Sequence, residues 1–248
     1  PLGAERLSGG MAIMNGYRRM NSVWAGLIAL AVATPAVGED LAAAAKKPPK
    51  DPEAALALGR SLRRAGMFDE GVRVLRGAAL RAQGELSVAA RYEAARTLIA
   101  ANRQKDALRE CQGIKARSKV RWETCFAEAQ LLWKRASLAL PAAERALAES
   151  PDNYDALVAK GRAQRMLGKN AESEAAFKAA IVKDGSRFEA PMFYSELLSG
   201  LGRGTESVAA LRKAHAAAPE EPEPTLALAS ELPAGAEATK LLLDLVDK

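Results

Sequence analysis

From Asp51 to the C-terminus, runs with apolar positions at helical spacing alternate with short polar breaks marked by Gly66, Pro151, Gly168, Gly202 and Pro219. Small residues recur in register across these runs. Gly59, Ala95, Ala127, Gly161 and Ser195 are spaced by 36, 32, 34 and 34 residues. Twelve residues after each stands another small one: Gly71, Ala107, Ala139, Ser173 and Ser207. Seven further on come Ala78, Ile114, Ala146, Ala180 and Ala214. Two antiparallel helices whose axes approach to about 8–10 Å need small side chains where they cross. Leu58, Leu62, Leu75, Phe126, Phe177, Tyr194, Leu198 and Leu211 supply bulk beside them. Gly66, Gly168 and Gly202 fall just after the first helix of a pair, where a left-handed residue ends a helix most easily.

This pattern resembles the tetratricopeptide repeat, with small residues at its eighth, twentieth and twenty-seventh positions and proline at its thirty-second. The resemblance covers about 170 of 248 residues and is clearest in Asp51–Gly84, Asn153–Gly185 and Phe188–Pro219. It departs where the family's early aromatic is replaced by Ala55, Arg91, Glu123, Leu157 and Pro191. Other helical-hairpin repeats are the alternative in those stretches. The resemblance implies an all-α, right-handed superhelical solenoid of antiparallel helix pairs over 51–248, about five repeats with Glu223–Glu231 and Ala236–Val246 as a capping pair. Pro141 lies inside the second helix of the third repeat, which is expected to start late, with Pro141 in its first turn.

The family's first helices line a concave groove. Carried over by register, its exposed positions are Leu56, Arg60, Arg63 and Arg64; Tyr92, Arg96 and Ile99; Arg121, Glu128 and Leu131; Val158, Arg162, Arg165 and Met166; and Glu189, Met192 and Glu196. Arginines mixed with apolar residues suit a partner segment with acidic and apolar side chains. The alternative is that these arginines are merely solvated. The Lys-Asn pattern of chaperone-tail binders is absent, so chaperone tails are not expected ligands.

The N-terminal part has a different character. Arg18 and Arg19 precede an apolar run, Val23–Val32, and the small-residue patterns Ala31-Val32-Ala33 and Ala36-Val37-Gly38 follow. This reads as an export signal within residues 1–38, cleaved after Gly38. The run Val23–Val37 falls short of the roughly 20 residues a span needs, although an uncleaved anchor is the alternative. The ten residues before Met11 read as sequence upstream of the true start. Residues 39–50, Ala-rich and then Lys-Lys-Pro-Pro-Lys, read as a linker.

Composition sharpens the picture. Hydrophobic residues make up 49% and aromatics 5%, so the apolar content is mainly Ala and Leu, which favour helix. The net charge of +6 is spread among interleaved acids and bases, and nucleic acid is not an expected partner. His215 is the only histidine, so neither a Ser-His-Asp arrangement nor a His metal cluster is available. Gly200–Gly204 lacks the strand and the Lys-Ser/Thr of a phosphate loop and reads as an inter-helix turn. No cofactor, metal or catalytic residue is expected. Cys111 and Cys125, the only cysteines, fall on neighbouring helices; in an exported protein they form a disulfide or remain two buried thiols. The whole reads as a non-catalytic, periplasmic bacterial scaffold that binds envelope proteins. Alternatives are a structural subunit of a large envelope assembly, or an accessory factor acting on an envelope enzyme in trans.

Overall fold

The computed structural model describes residues 35–246 and, among them, thirteen helices and no strand. Arg18, Arg19 and the apolar run Val23–Val32 lie outside the described residues. The helices are α1 (Pro35–Lys46), α2 (Pro52–Arg64), α3 (Phe68–Arg81), α4 (Gly84–Ala100), α5 (Gln104–Ile114), α6 (Lys119–Leu132) and α7 (Ala136–Glu149). They continue as α8 (Tyr154–Met166), α9 (Asn170–Lys183), α10 (Glu189–Gly200), α11 (Gly204–Ala217), α12 (Pro222–Glu231) and α13 (Ala236–Val246). The described chain forms two compact units, residues 35–135 with α1–α6 and residues 136–246 with α7–α13.

Within each unit, successive helices pack as hairpins, and the register residues sit where they cross. All fifteen small-residue positions are buried, Ile114 included. A methyl group on Gly59 would collide with the Leu75 side chain, and one on Gly161 would lie 2.7 Å from Phe177 Cε1. Where the second position is serine, its hydroxyl donates to the facing helix: Ser173 Oγ to the Gly161 carbonyl at 2.8 Å, and Ser207 Oγ to the Ser195 carbonyl at 3.0 Å. That bond removes the penalty of burying a hydroxyl in a tight crossing.

Helix ends follow local chemistry. Asp51, Ser118 and Asn153 accept from the backbone N–H three residues on and so start α2, α6 and α8. Five left-handed residues end the first helices: Gly66, Asn102, Lys134, Gly168 and Gly202, with φ of 71, 58, 56, 73 and 75°. They step through the sequence by 36, 32, 34 and 34 residues, the spacing of the small-residue register. The glycines announce this turn in the sequence; Asn102 and Lys134 do not.

Two expectations need correction. The segment 39–50 is not all linker, because α1 runs to Lys46. Ala45 is fully buried, Leu41 packs beside it, and Arg73 Nη2 donates to the Ala45 carbonyl at 2.9 Å. The prolines Pro48 and Pro49 end the helix, so only Lys47–Lys50 connects. Helix α7 does not start late: it begins at Ala136 and takes Pro141 into its second turn. The carbonyl that Pro141 leaves unbonded belongs to Ser137, which is exposed to water. The division between the compact units falls inside the third repeat, between α6 and α7.

In the first unit Cys111 on α5 and Cys125 on α6 form a disulfide, with Cα atoms 5.6 Å apart. It sits in a cluster with Val88, Tyr92, Ala95 and Ile114, with Trp122 packed on it.

Candidate protein-binding face

The register places the candidate groove residues on α2, α4 and α6 of the first unit and on α8 and α10 of the second. In the first unit the central group is Glu93 on α4, only 6% exposed. Arg60 on α2 donates through Nε to Glu93 Oε1 at 3.0 Å. Arg63 and Arg96 bring guanidinium nitrogens to 3.9 Å of the same carboxylate. Arg60 is thus fixed to the buried acid by a charge-assisted hydrogen bond, with Arg63 and Arg96 close to the same carboxylate. Next to them, the Tyr92 hydroxyl donates to Glu128 Oε1 at 3.3 Å, and the Arg121 guanidinium lies 5.8 Å from the Tyr92 ring centre.

The second unit uses different contacts at the same register. The Arg162 guanidinium stacks 4.2 Å from the Phe193 ring centre. Arg165 Nη2 donates to Glu196 Oε2 at 2.7 Å, with both side chains partly exposed. Met166 is exposed at the end of α8.

Not every candidate can meet a partner. Leu56, Tyr92, Leu131 and Val158 are buried, at 8, 4, 4 and 6% exposure. Ile99 packs on Val72, Leu98 and Ala107, and Met192 packs on Leu211, Ala227 and Leu228. These side chains hold successive helices together, because on a closely stacked face an apolar residue finds its neighbour before it finds a ligand. The accessible part of the face is polar: Arg60, Arg63, Arg64, Arg96, Arg121, Glu128, Arg162, Arg165, Glu189 and Glu196, with Met166.

Comparison with known proteins bears on the fold. No family model matches the chain, and no curated protein matches it. Among solved structures it resembles TTC0263, a thermophilic TPR protein of Thermus thermophilus, with 22% identity, 73% of this chain and 98% of that one covered, and a TM-score of 0.61. This chain has the tetratricopeptide-repeat fold. Fainter likenesses are to YrrB, a TPR protein with an unusual peptide-binding site (16% identity, coverage 76% and 95%, TM-score 0.43), and to MamA (18%, coverage 65% and 95%, TM-score 0.42). At those scores they add nothing to the fold.

The TPR register exposes two residues that pattern reading passed over. Gln130 and Gln164 occupy the place that Leu62, Leu98 and Leu198 fill in the other repeats, three residues after the small residue of the first helix. They are 3 and 5% exposed, and the Oε1 atom of each is buried without a hydrogen-bond partner. A polar residue breaking an otherwise leucine position was the signal available in the sequence.

The TPR units also differ in charge. Residues 35–135 hold 20 Lys and Arg against 12 Asp and Glu, a net of +8. Residues 136–246 hold 12 against 16, a net of −4. In the second unit Glu174 accepts from Arg203 at 2.7 Å, from Tyr194 at 2.8 Å and meets Lys178 at 2.7 Å; these bonds, that of Arg203 above all, hold its carboxyl down to about 2. Tyr154 is pushed well up by burial while its hydroxyl oxygen accepts from the Ala190 amide at 2.9 Å. Both groups fasten helices. His215 does the same, with Nδ1 2.9 Å from Thr225 Oγ1 between α11 and α12. Among the described residues no three His, Cys, Asp or Glu are placed to hold a metal ion, and no helix is long and apolar enough to cross a membrane.

Proposed function

We propose that this protein is a non-catalytic scaffold that holds segments of other proteins on the first-helix face of its repeats. The observation that carries the reading is the arginine set on that face: Arg60 bonded to Glu93 with Arg63 and Arg96 near the same carboxylate, and Arg162 and Arg165 held by Phe193 and Glu196. Guanidiniums already held in one geometry lose little entropy on meeting a carboxylate, so they suit an acidic partner segment. The partners belong to a bacterial cell-envelope complex and the protein works in the periplasm; the Arg-Arg and apolar pattern of residues 18–38 supports this part of the reading.

The test is in-cell crosslinking and pull-down of the full-length chain, with fractionation and N-terminal sequencing. A mature form starting near Glu39, recovered outside the cytoplasm with envelope proteins attached, is the expected result. An intact N-terminus in the cytoplasm overturns the location. Charge reversal at Arg60, Arg96 and Arg162 should weaken capture of the recovered partner by at least tenfold; unchanged capture overturns the groove.

A further inference from the structure

The disulfide ties down a helix whose own packing is weak. In the first unit α6 comes last, and within that unit it packs on α4 and α5. Helix α4, by contrast, meets α2, α3, α5 and α6. The side chains that α6 buries are partly polar. Thr124 and Gln130 stand at the register positions that Leu56 and Leu62 fill in α2. Thr124 is buried, and its hydroxyl donates to the Val120 carbonyl of its own helix at 2.9 Å. Gln130 is buried with its Oε1 atom unpartnered. Neither gives α6 the apolar contact with a neighbouring helix that a leucine would give.

One cluster fastens α6 to the unit. Cys125 of α6 is bonded to Cys111 of α5. Around the bond lie Val88, Tyr92 and Ala95 of α4 and Ile114 of α5, with Trp122 of α6 packed on them. The same place carries α6's share of the binding face. The Tyr92 hydroxyl donates to Glu128, and the Arg121 guanidinium lies near the Tyr92 ring and pairs with Glu85 of α4. These contacts exist only while α6 lies against α4. Both cysteines are at most 1% exposed, so a reductant reaches the bond only when α6 opens.

We infer that this disulfide is the latch of the binding face: oxidised, it keeps α6 against α4 and the first unit's face whole; reduced, it lets α6 leave the unit with Arg121 and Glu128. The inference rests on the reading of that face as the partner site. The reductant is a dithiol. One of its thiolates attacks a cystine sulfur and displaces the other as a thiolate; its second thiol then attacks the mixed disulfide. Cys111 and Cys125 end as two thiols, and the dithiol ends as its own disulfide. Without the bond the opened helix regains chain entropy, and the remaining contacts are too few to offset it.

Hydrogen–deuterium exchange of the full-length chain tests the latch, oxidised and after dithiothreitol has reduced the bond. Poly-L-glutamate is the acidic probe of the face. On reduction the amides of α6 should exchange at least tenfold faster, while those of α2 and α3 change less than threefold. Poly-L-glutamate should bind the oxidised chain at least threefold more tightly, and reoxidation should restore both values. C111A/C125A should exchange and bind as the reduced chain does, with or without dithiothreitol, which separates loss of the bond from other effects of the reagent. Unchanged exchange in α6 on reduction overturns the inference. Equal acceleration throughout α2–α6 overturns it as well, because the bond would then be a general tie. So does faster exchange in α6 with poly-L-glutamate binding unaltered. A chain that binds poly-L-glutamate in neither state overturns instead the acidic-segment reading of the face, and exchange in α6 still decides the latch.

Discussion

The two units build the same helix pair and both use close packing and ion pairs, but the buried carboxylates Glu93, Glu110 and Glu123 all lie in the first. In the first, buried carboxylates are tied by arginines from neighbouring helices: Glu93 by Arg60, and Glu110 by Arg76 and Arg91 at 2.7 and 3.4 Å. A disulfide adds a covalent tie between α5 and α6. Gly161 lets Phe177 lie against the α8 backbone as Gly59 admits Leu75 in the first unit, and in the second Ser173 and Ser207 also bond the facing helix. Close packing is short-ranged and indifferent to salt. Ionic ties reach further and leave charge at the surface. The first unit is accordingly the more basic, and it bears the ordered arginine cluster of the binding face. Stability and recognition share side chains there, while in the second unit they are more nearly separate.

The largest expected effect breaks the packed unit. Phe177→Ala removes a fully buried ring from the crossing with α8 and should cost about 3–5 kcal/mol in chemical unfolding, leaving the first unit's transition unchanged. Breaking the disulfide should come next. Cys111→Ser with Cys125→Ser should lower the first unit's stability by about 3 kcal/mol in the chain-entropy account and leave the second unit unaffected. Glu93→Ala is expected to cost about 1–3 kcal/mol, because it strands the guanidinium of Arg60 on a half-covered face. It should also weaken partner capture, which would show that one residue serves both purposes; a change in stability alone would separate them. Lys134→Gly should stabilise by about 1 kcal/mol, since a residue at φ 56° with a side chain is strained where glycine is not. Gly168→Ala should destabilise by a similar amount for the same reason.

The smallest expected effect is the pH dependence that Glu174 contributes to the second unit. Glu174 has a folded pKa of about 2, below its ordinary 4.5. A depressed carboxyl contributes stability that is fully present above 4.5 and lost as pH falls from there toward about 2. Unfolding midpoints measured from pH 6 to 2 should show this slope, and Glu174→Gln should flatten it.

Much of the scaffold was legible in the residues. Gly59, Gly161 and Ser195 with their partners twelve residues on marked crossings within helix pairs, and Gly66, Gly168 and Gly202 marked three of five turns. The binding face was legible only as a set of positions. Burial of Leu56, Tyr92 and Val158 depends on side chains from the neighbouring repeat, which register alone does not supply. The charge division was hidden by averaging, because +8 and −4 partly cancel along a chain whose total is modest. Pro141 misled because part of proline's cost in a helix is the carbonyl it frees, and here that carbonyl, on Ser137, is open to water.

The sequence by itself determined the all-helical repeat, its register and the places where helices touch, because those follow from residue size and spacing, which are local and periodic. The tertiary structure alone decided which face residues are buried, that the segment before Pro48 is helix packed on Arg73, that the third repeat is divided between two units, and that Arg60, Arg63 and Arg96 share Glu93. Those outcomes depend on contacts between residues about thirty positions apart, and the strength of a charge or an apolar contact there is fixed by what surrounds it.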